Sequence, residues 1–294
     1  MTSYIRKLGN RISPPKWLVS NIMYEGVTGS TAYGVSSNSS DLDIIGFCIP
    51  PKEIIFPHLT GEIFGFGTQI KRFDQYEQQH INVLEWNQNF DINIYSIVKF
   101  FQLTMENNPN MLDALFLPRN CVVHSTAISE HVRNNRKLFL HKGCWPKFRG
   151  YAYAQLSKIK NKSNSTNSVR NNYINQYGYD VKFAYHVVRL LLEVEQILIE
   201  ENLDLQKNSK ILKTVRNGEW SIEKLMDWAN EKEKQLENIF ANSNLRNIPN
   251  ESKIKELLID CLSMHYGDIS NLIPTPKDNS LLLYDLKNLI QKYD

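Results

Sequence analysis

The chain has 294 residues, 42% of them hydrophobic, which is enough for one large domain or two modest ones with buried cores and excludes a disordered or fibrous protein. A formal charge of +3 excludes a globally cationic surface, so any nucleic-acid contact must come from local basic clusters. Four scattered cysteines (48, 121, 144 and 261) without metal-type spacing, no run near the ~20 apolar residues that span a bilayer, and an N-terminus unlike a signal peptide together predict free thiols, no membrane partner and a cytoplasmic location.

Residues 22–56 read as strand, turn or short helix, strand: IMYEGVTGS, then TAYGVSSNSS, then DLDIIGFCI. Within them, Gly29-Ser30 is followed after ten residues by Asp41-Leu42-Asp43. Carboxylates at i and i+2 on one strand project to the same face, so Asp41 and Asp43 can converge on the same metal ions. The apolar Ile44, Ile45, Gly46 and Phe47 that follow argue for a buried strand rather than a solvated turn. A glycine lets the backbone approach a triphosphate, and a small hydroxyl beside it can bond phosphate oxygens. Further on, FDINIY alternates, placing Asp91, Asn93 and Tyr95 on one strand face and Phe90, Ile92 and Ile94 on the other.

After Ser96 the spacing becomes helical. SIVKFFQLTM is broken at Asn108-Pro109-Asn110, where one helix ends and another begins, and helical patterns continue to the C-terminus. These signals predict an α+β protein with its strands in residues 1–115 and a mainly α-helical region in 116–294. The Asn- and Ser-rich segment 161–177 is expected to be a mobile loop between two helices.

GSTAYGVSSNSSDLDIIGF resembles the signature of the polymerase-β nucleotidyltransferase superfamily. More narrowly, the chain resembles predicted nucleotidyltransferases associated with RNA ligases and RNA repair, through DINIYSIVKFFQL, NNPNMLDALF, RNNRKLFLHK, FRGYAYAQLSKI and GYDVKFAYHVVRLLLEVEQIL. The resemblance implies a mixed β-sheet in 1–115 that carries the catalytic carboxylates, a helical region in 116–294 that completes the cleft, and transfer of a nucleoside monophosphate from an NTP to an acceptor hydroxyl, with an RNA or tRNA 3′ end as acceptor. It implies two Mg²⁺ ions, replaceable by Mn²⁺, on Asp41, Asp43 and Asp91, with Gly29 and Ser30 at the triphosphate. Glu85, in INVLEW, competes with Asp91 as the third carboxylate. Nucleotidylation of a protein or small molecule, or a non-catalytic nucleotide- or RNA-binding module, are the alternatives, and the oligomeric state is not legible.

Two helical stripes are candidates to complete the cleft. Lys182, His186, Arg189 and Glu193 recur at offsets of 4, 3 and 4 and share one face of an otherwise apolar helix. Such charges either meet a triphosphate or form an internal ion pair with Glu193 or another acid. Tyr151, Gln155, Lys158 and Lys162 share a second face, suited to stacking on a base and reading its edge or to ordinary amphipathic packing. The basic run Arg133, Arg136, Lys137, His141, Lys142 and Lys147 either follows a phosphate backbone or forms a solvated face.

Overall fold

The computed structural model describes residues 3–36, 41–69, 71–160 and 168–267; positions 161–167, with Lys162, and everything after 267 lie outside the described residues. In chain order come α1 (Tyr4–Leu8), β1 (Ile22–Val27), α2 (Gly29–Ala32), β2 (Leu42–Cys48), α3 (Lys52–Ile55), β3 (Gln75–Val83) and β4 (Gln88–Ser96). Then follow α4 (Ile97–Met105), α5 (Pro109–Leu115), β5 (Val122–Ser125), α6 (Ala127–Asn134), α7 (Cys144–Lys160), α8 (Ser168–Tyr177), α9 (Val181–Glu200), α10 (Ser209–Arg216), α11 (Ile222–Asn242) and α12 (Glu251–Tyr266). The architecture is α+β: a mixed five-stranded sheet, then a mainly helical C-terminal region.

The sheet order is β3-β4-β2-β1-β5, with β2 and β4 parallel and the other neighbours antiparallel. Alternation along β2 and β4 divides two apolar layers. Ile44, Ile92 and Ile94 meet Ile5, Leu8 and Leu18 of the N-terminal segment on one face. Ile45, Phe47 and Tyr95 join Phe100, Leu112 and the helices on the other. The buried Glu25 carboxylate accepts from the Ser3 hydroxyl and the Tyr4 amide, which anchors α1 against β1. On the helical side α9 is the hub, packed against α7, α10 and α11. It is buried almost all round because its neighbours surround it, as its apolar sequence required.

Asn108 caps α5, its side-chain oxygen accepting from the Asn110 amide, and Pro109 occupies the first turn, where its missing N–H costs nothing. Two features differ from expectation. The strand Val122–Ser125 pairs with β1, so the sheet runs past residue 115 into the region read as helical. And 168–177, expected to be loop, is helix α8: it packs on α9, and Tyr173 and Tyr177 lean on the core, so tertiary contact overrides a polar composition.

Candidate active site

Asp43 and Asp91 are register partners across the parallel pair β2–β4, so both carboxylates rise from neighbouring strands on the same face. They open into a cleft of about 330 Å³ whose sheet wall also includes Asn93, Tyr95, Glu77 and Gln79, and whose opposite wall comes from Thr28, Gly29, Tyr33, Asn110, Met111, Asp113, His186 and Arg189. Asp41 lies one residue before β2, exposed, with Oδ1 accepting from the Asn89 side chain at 3.1 Å. Asp91 Oδ1 accepts the backbone N–H of His80 at 2.7 Å; His80 has φ of 57° and sits in the irregularity between Gln78 and Ile81, so a bulge in the edge strand turns its amide onto the carboxylate. Glu85 lies in the turn after β3, exposed and paired with Arg11 at 2.6 Å, and is not part of the cleft wall.

Gly29 closes over this pair. Its φ is +64°, and a Cβ there would collide with Asp43 Oδ2, so only glycine fits both the left-handed backbone and the space. The Thr28 amide bonds the Asp43 carbonyl at 2.8 Å, which pins the turn to the strand end. Ser30 follows in α2, half-buried beside the cleft wall.

Burial raises the pKa of Asp43, Asp91 adds to the rise, Lys182 opposes it, and Asp41 raises it further. Negative charge is thus concentrated and only partly answered, and every donor is a hard oxygen; this arrangement suits a divalent cation. The side chains as they stand are turned to protein donors, and among the described residues no group of three or more His, Cys, Asp or Glu is gathered tightly enough to hold a metal.

Of the α9 stripe, His186 and Arg189 line the cleft and Lys182 does not. Lys182 is exposed in the first turn, where the Asp180 side chain accepts from its backbone N–H. His186 lines the cleft against the Tyr185 ring, centroids 4.2 Å apart. Burial, then Arg189, Lys182, Arg216 and Lys158, push its pKa well below the usual value, leaving a neutral imidazole within a ring of cations. Arg189 is 4% exposed and takes the internal arrangement: Nη1 donates to Asp113, to Glu193 at 3.1 Å and to the Tyr33 hydroxyl at 2.7 Å. Tyr33 in turn donates to Asp113 at 2.5 Å. Burial raises the pKa of both acids, against the pull of Arg189.

Tyr151, Gln155 and Lys158 lie on α7 outside the residues that line the cleft. The Tyr151 hydroxyl accepts from Asn108, and the Lys158 ammonium sits over the Phe183 ring, 5.4 Å from its centroid. The basic run does not form a track. Arg133 is buried, donating to the Tyr24 hydroxyl and the Leu117 carbonyl; buried His141 bonds the Met105 carbonyl; Arg136 lies over Phe116, Lys142 over Phe240, and Lys147 pairs with Glu106. No sequence pattern assigned a role to Asp113, Tyr33 or Arg216. Asp113 sits within NNPNMLDALF, where a carboxylate on an apolar helical face is the signal by which it could be found.

No curated protein matches the chain. A nucleotidyltransferase-like protein from Exiguobacterium sibiricum aligns with 11% identity over 93% of this chain and 85% of its own, at a TM-score of 0.28, too low for any argument to rest on it. A sequence model of one family matches residues 11–252, which include every residue of the cleft. The chain belongs to the RNA repair pathway DNA polymerase beta family.

Proposed function

We propose that the chain transfers a nucleoside monophosphate from an NTP to an acceptor hydroxyl and releases pyrophosphate, the acceptor being the 3′ end of an RNA. The observation that carries this reading is the pairing of Asp43 with Asp91 in register beneath Gly29. Asp41, Asp43 and Asp91 would hold two Mg²⁺ ions, which would supply Lewis-acid stabilisation of the negative charge that develops during the displacement.

The chain's own groups divide the remaining work. The acceptor oxygen forms a bond to the α-phosphorus, the bond from that phosphorus to the bridging oxygen breaks, and pyrophosphate leaves with the electron pair. Asp91, on the β3 side of the cleft, takes the hydroxyl proton. Gly29 lets backbone approach the triphosphate where a side chain would block it, and Ser30 adds its hydroxyl. Lys182 answers charge on the departing phosphates. Arg189 contributes mainly by holding the wall in place, since Asp113 already meets its guanidinium. Tyr151, Gln155 and Lys158 lie on the helix beyond Asn108 and would meet acceptor or base at the cleft's outer edge.

The family match supports RNA as acceptor, and the cleft supports the transfer. The test supplies each α-labelled NTP with Mg²⁺ and a short RNA bearing either a free or a periodate-oxidised 3′ end. Label on the free end alone is expected. Label on both RNAs, or on the protein and not on RNA, would refute the assigned acceptor.

A further inference from the structure

A second groove, of about 610 Å³, lies at the edge of the sheet beside β3, within the roughly 300–1,000 Å³ range of ligand sites. We propose that this groove, bounded by Trp17, Lys71, Arg72, Phe73, Tyr76 and Lys99, holds the single-stranded RNA segment that leads into the catalytic cleft. The proposal rests on the acceptor being RNA, as above.

Its lining interleaves cations with rings. Lys71 and Arg72 are exposed, Lys99 is half-buried at the start of α4, and Trp17 and Phe73 meet edge to face with centroids 4.8 Å apart. Tyr76 is held by its hydroxyl, which accepts from the Ser13 amide at 3.2 Å and donates to Gln78. Positive charge that follows a backbone, with aromatic faces for bases, is how proteins hold single strands without reading sequence. An acidic peptide would use the cations and make no use of the ring faces that Trp17, Phe73 and Tyr76, each partly buried against the N-terminal layer, still present. In the basic run 133–147, by contrast, Arg133 and His141 are buried in internal contacts and Lys147 pairs with Glu106 at the surface.

The groove reaches the cleft side of the sheet at Gln75, which lines it and pairs across β3–β4 with Tyr95 of the cleft wall. Tyr76 pairs with Ile94 and takes the opposite face with Trp17 and Phe73, so a strand held in the groove would round the β3 edge toward Glu77 and Asn93, which line the cleft. From the level of Tyr95 to that of Asp91 is four residues of strand, roughly 13 Å at about 3.3 Å each. That span is about two to four nucleotides, given roughly 3.4 Å per stacked nucleotide and more when splayed. Asp74 and Glu77 are acids on this path, so the attraction is concentrated at Lys71, Arg72 and Lys99.

The experiment is fluorescence anisotropy of a 5′-labelled 12-nucleotide RNA against the wild-type chain, Lys71→Glu/Arg72→Glu and Phe73→Leu, across a salt series, with thermal melts to confirm folding. The double charge reversal should weaken binding at least roughly tenfold, and the plot of log affinity against log salt should flatten by about 1.4, near 0.7 for each phosphate that the variant no longer neutralises. Phe73→Leu should weaken binding without changing that slope, as loss of stacking requires. Unchanged affinity in the folded double variant, a weakening with the slope intact, or wild-type preference for a poly-glutamate peptide over RNA would each overturn the proposal. Anisotropy reads binding alone. Groove-dependent RNA binding by a chain that transfers no nucleotide would remove the proposed reaction and leave the groove; transfer with no effect of the groove variants would do the reverse.

Discussion

Replacing Arg189 with Met keeps most of the side-chain volume and removes the one cation buried with Asp113 and Glu193. Two carboxylates, both with solvent-excluded oxygens, then face each other without a counter-charge. Breaking a buried ion pair from one side costs about 3–5 kcal/mol. For a chain of this length roughly 2 °C of melting temperature corresponds to each kcal/mol, so the apo variant should melt about 6–10 °C below wild type near neutral pH. The sign of its pH dependence is fixed by the same geometry. Asp113 and Glu193 already have pKa values raised by burial, and without Arg189 they rise further. A carboxyl whose folded pKa exceeds its unfolded value contributes stability below the unfolded pKa and loses it as pH rises through the folded one, so the deficit should shrink in acid and grow toward pH 8. Adding Asp113→Asn and Glu193→Gln to the variant should restore most of the loss. Thermal melts at two pH values, with and without Mg²⁺-NTP, provide the assay. An unchanged apo melting temperature with a lost nucleotide-induced shift would refute the reasoning and return Arg189 to the triphosphate.

Three further outcomes follow from the cleft. Gly29→Ala forces a Cβ onto Asp43 Oδ2 at a φ of +64°; about 1–2 kcal/mol of stability should go in urea titrations, with a much larger fall in kcat than the stability loss explains. Glu85→Gln removes an exposed pair with Arg11 and should leave both activity and stability close to wild type, whereas Asp91→Asn should abolish turnover; the reverse pattern in steady-state kinetics would move the third carboxylate to Glu85. His186→Gln should reduce the fall of stability on acidification below the usual histidine range, because a histidine with a depressed folded pKa contributes stability above the unfolded value and loses it as pH falls; melts between pH 5 and 8 that match wild type would contradict its burial as a neutral ring.

Local pattern carried the strands that matter most. The apolar run after Asp43 and the alternation of FDINIY set which face Asp43 and Asp91 take, and β2 and β4 follow it, whereas Asp41 lies one residue before β2, exposed and bonded to Asn89. Asn108-Pro109 is likewise a local stop and start. What was not legible depends on residues far apart in the chain. The Tyr33–Asp113–Arg189 cluster joins positions 80 and 76 residues apart, and no periodicity reports which acid a buried arginine will meet. β5 has four residues and exists because β1 offers an edge. Arg133 and His141 look like surface charge in a basic run, yet each satisfies buried backbone carbonyls. In α8 two tyrosines packed against the core outweigh a composition suited to a loop.

In the proposed reaction Asp43 is a charged catalytic ligand and not a structural acid. Burial and its neighbours raise its pKa, so Asp43→Asn, which keeps the volume and removes the charge, should leave the apo protein as stable as wild type or more so above the ordinary carboxylate range. Single-turnover incorporation from an α-labelled NTP into a 3′-hydroxyl RNA with Mg²⁺ tests that role. A fully folded Asp43→Asn chain should give no label above background, and incorporation at the wild-type rate by that chain would remove Asp43 from the reaction.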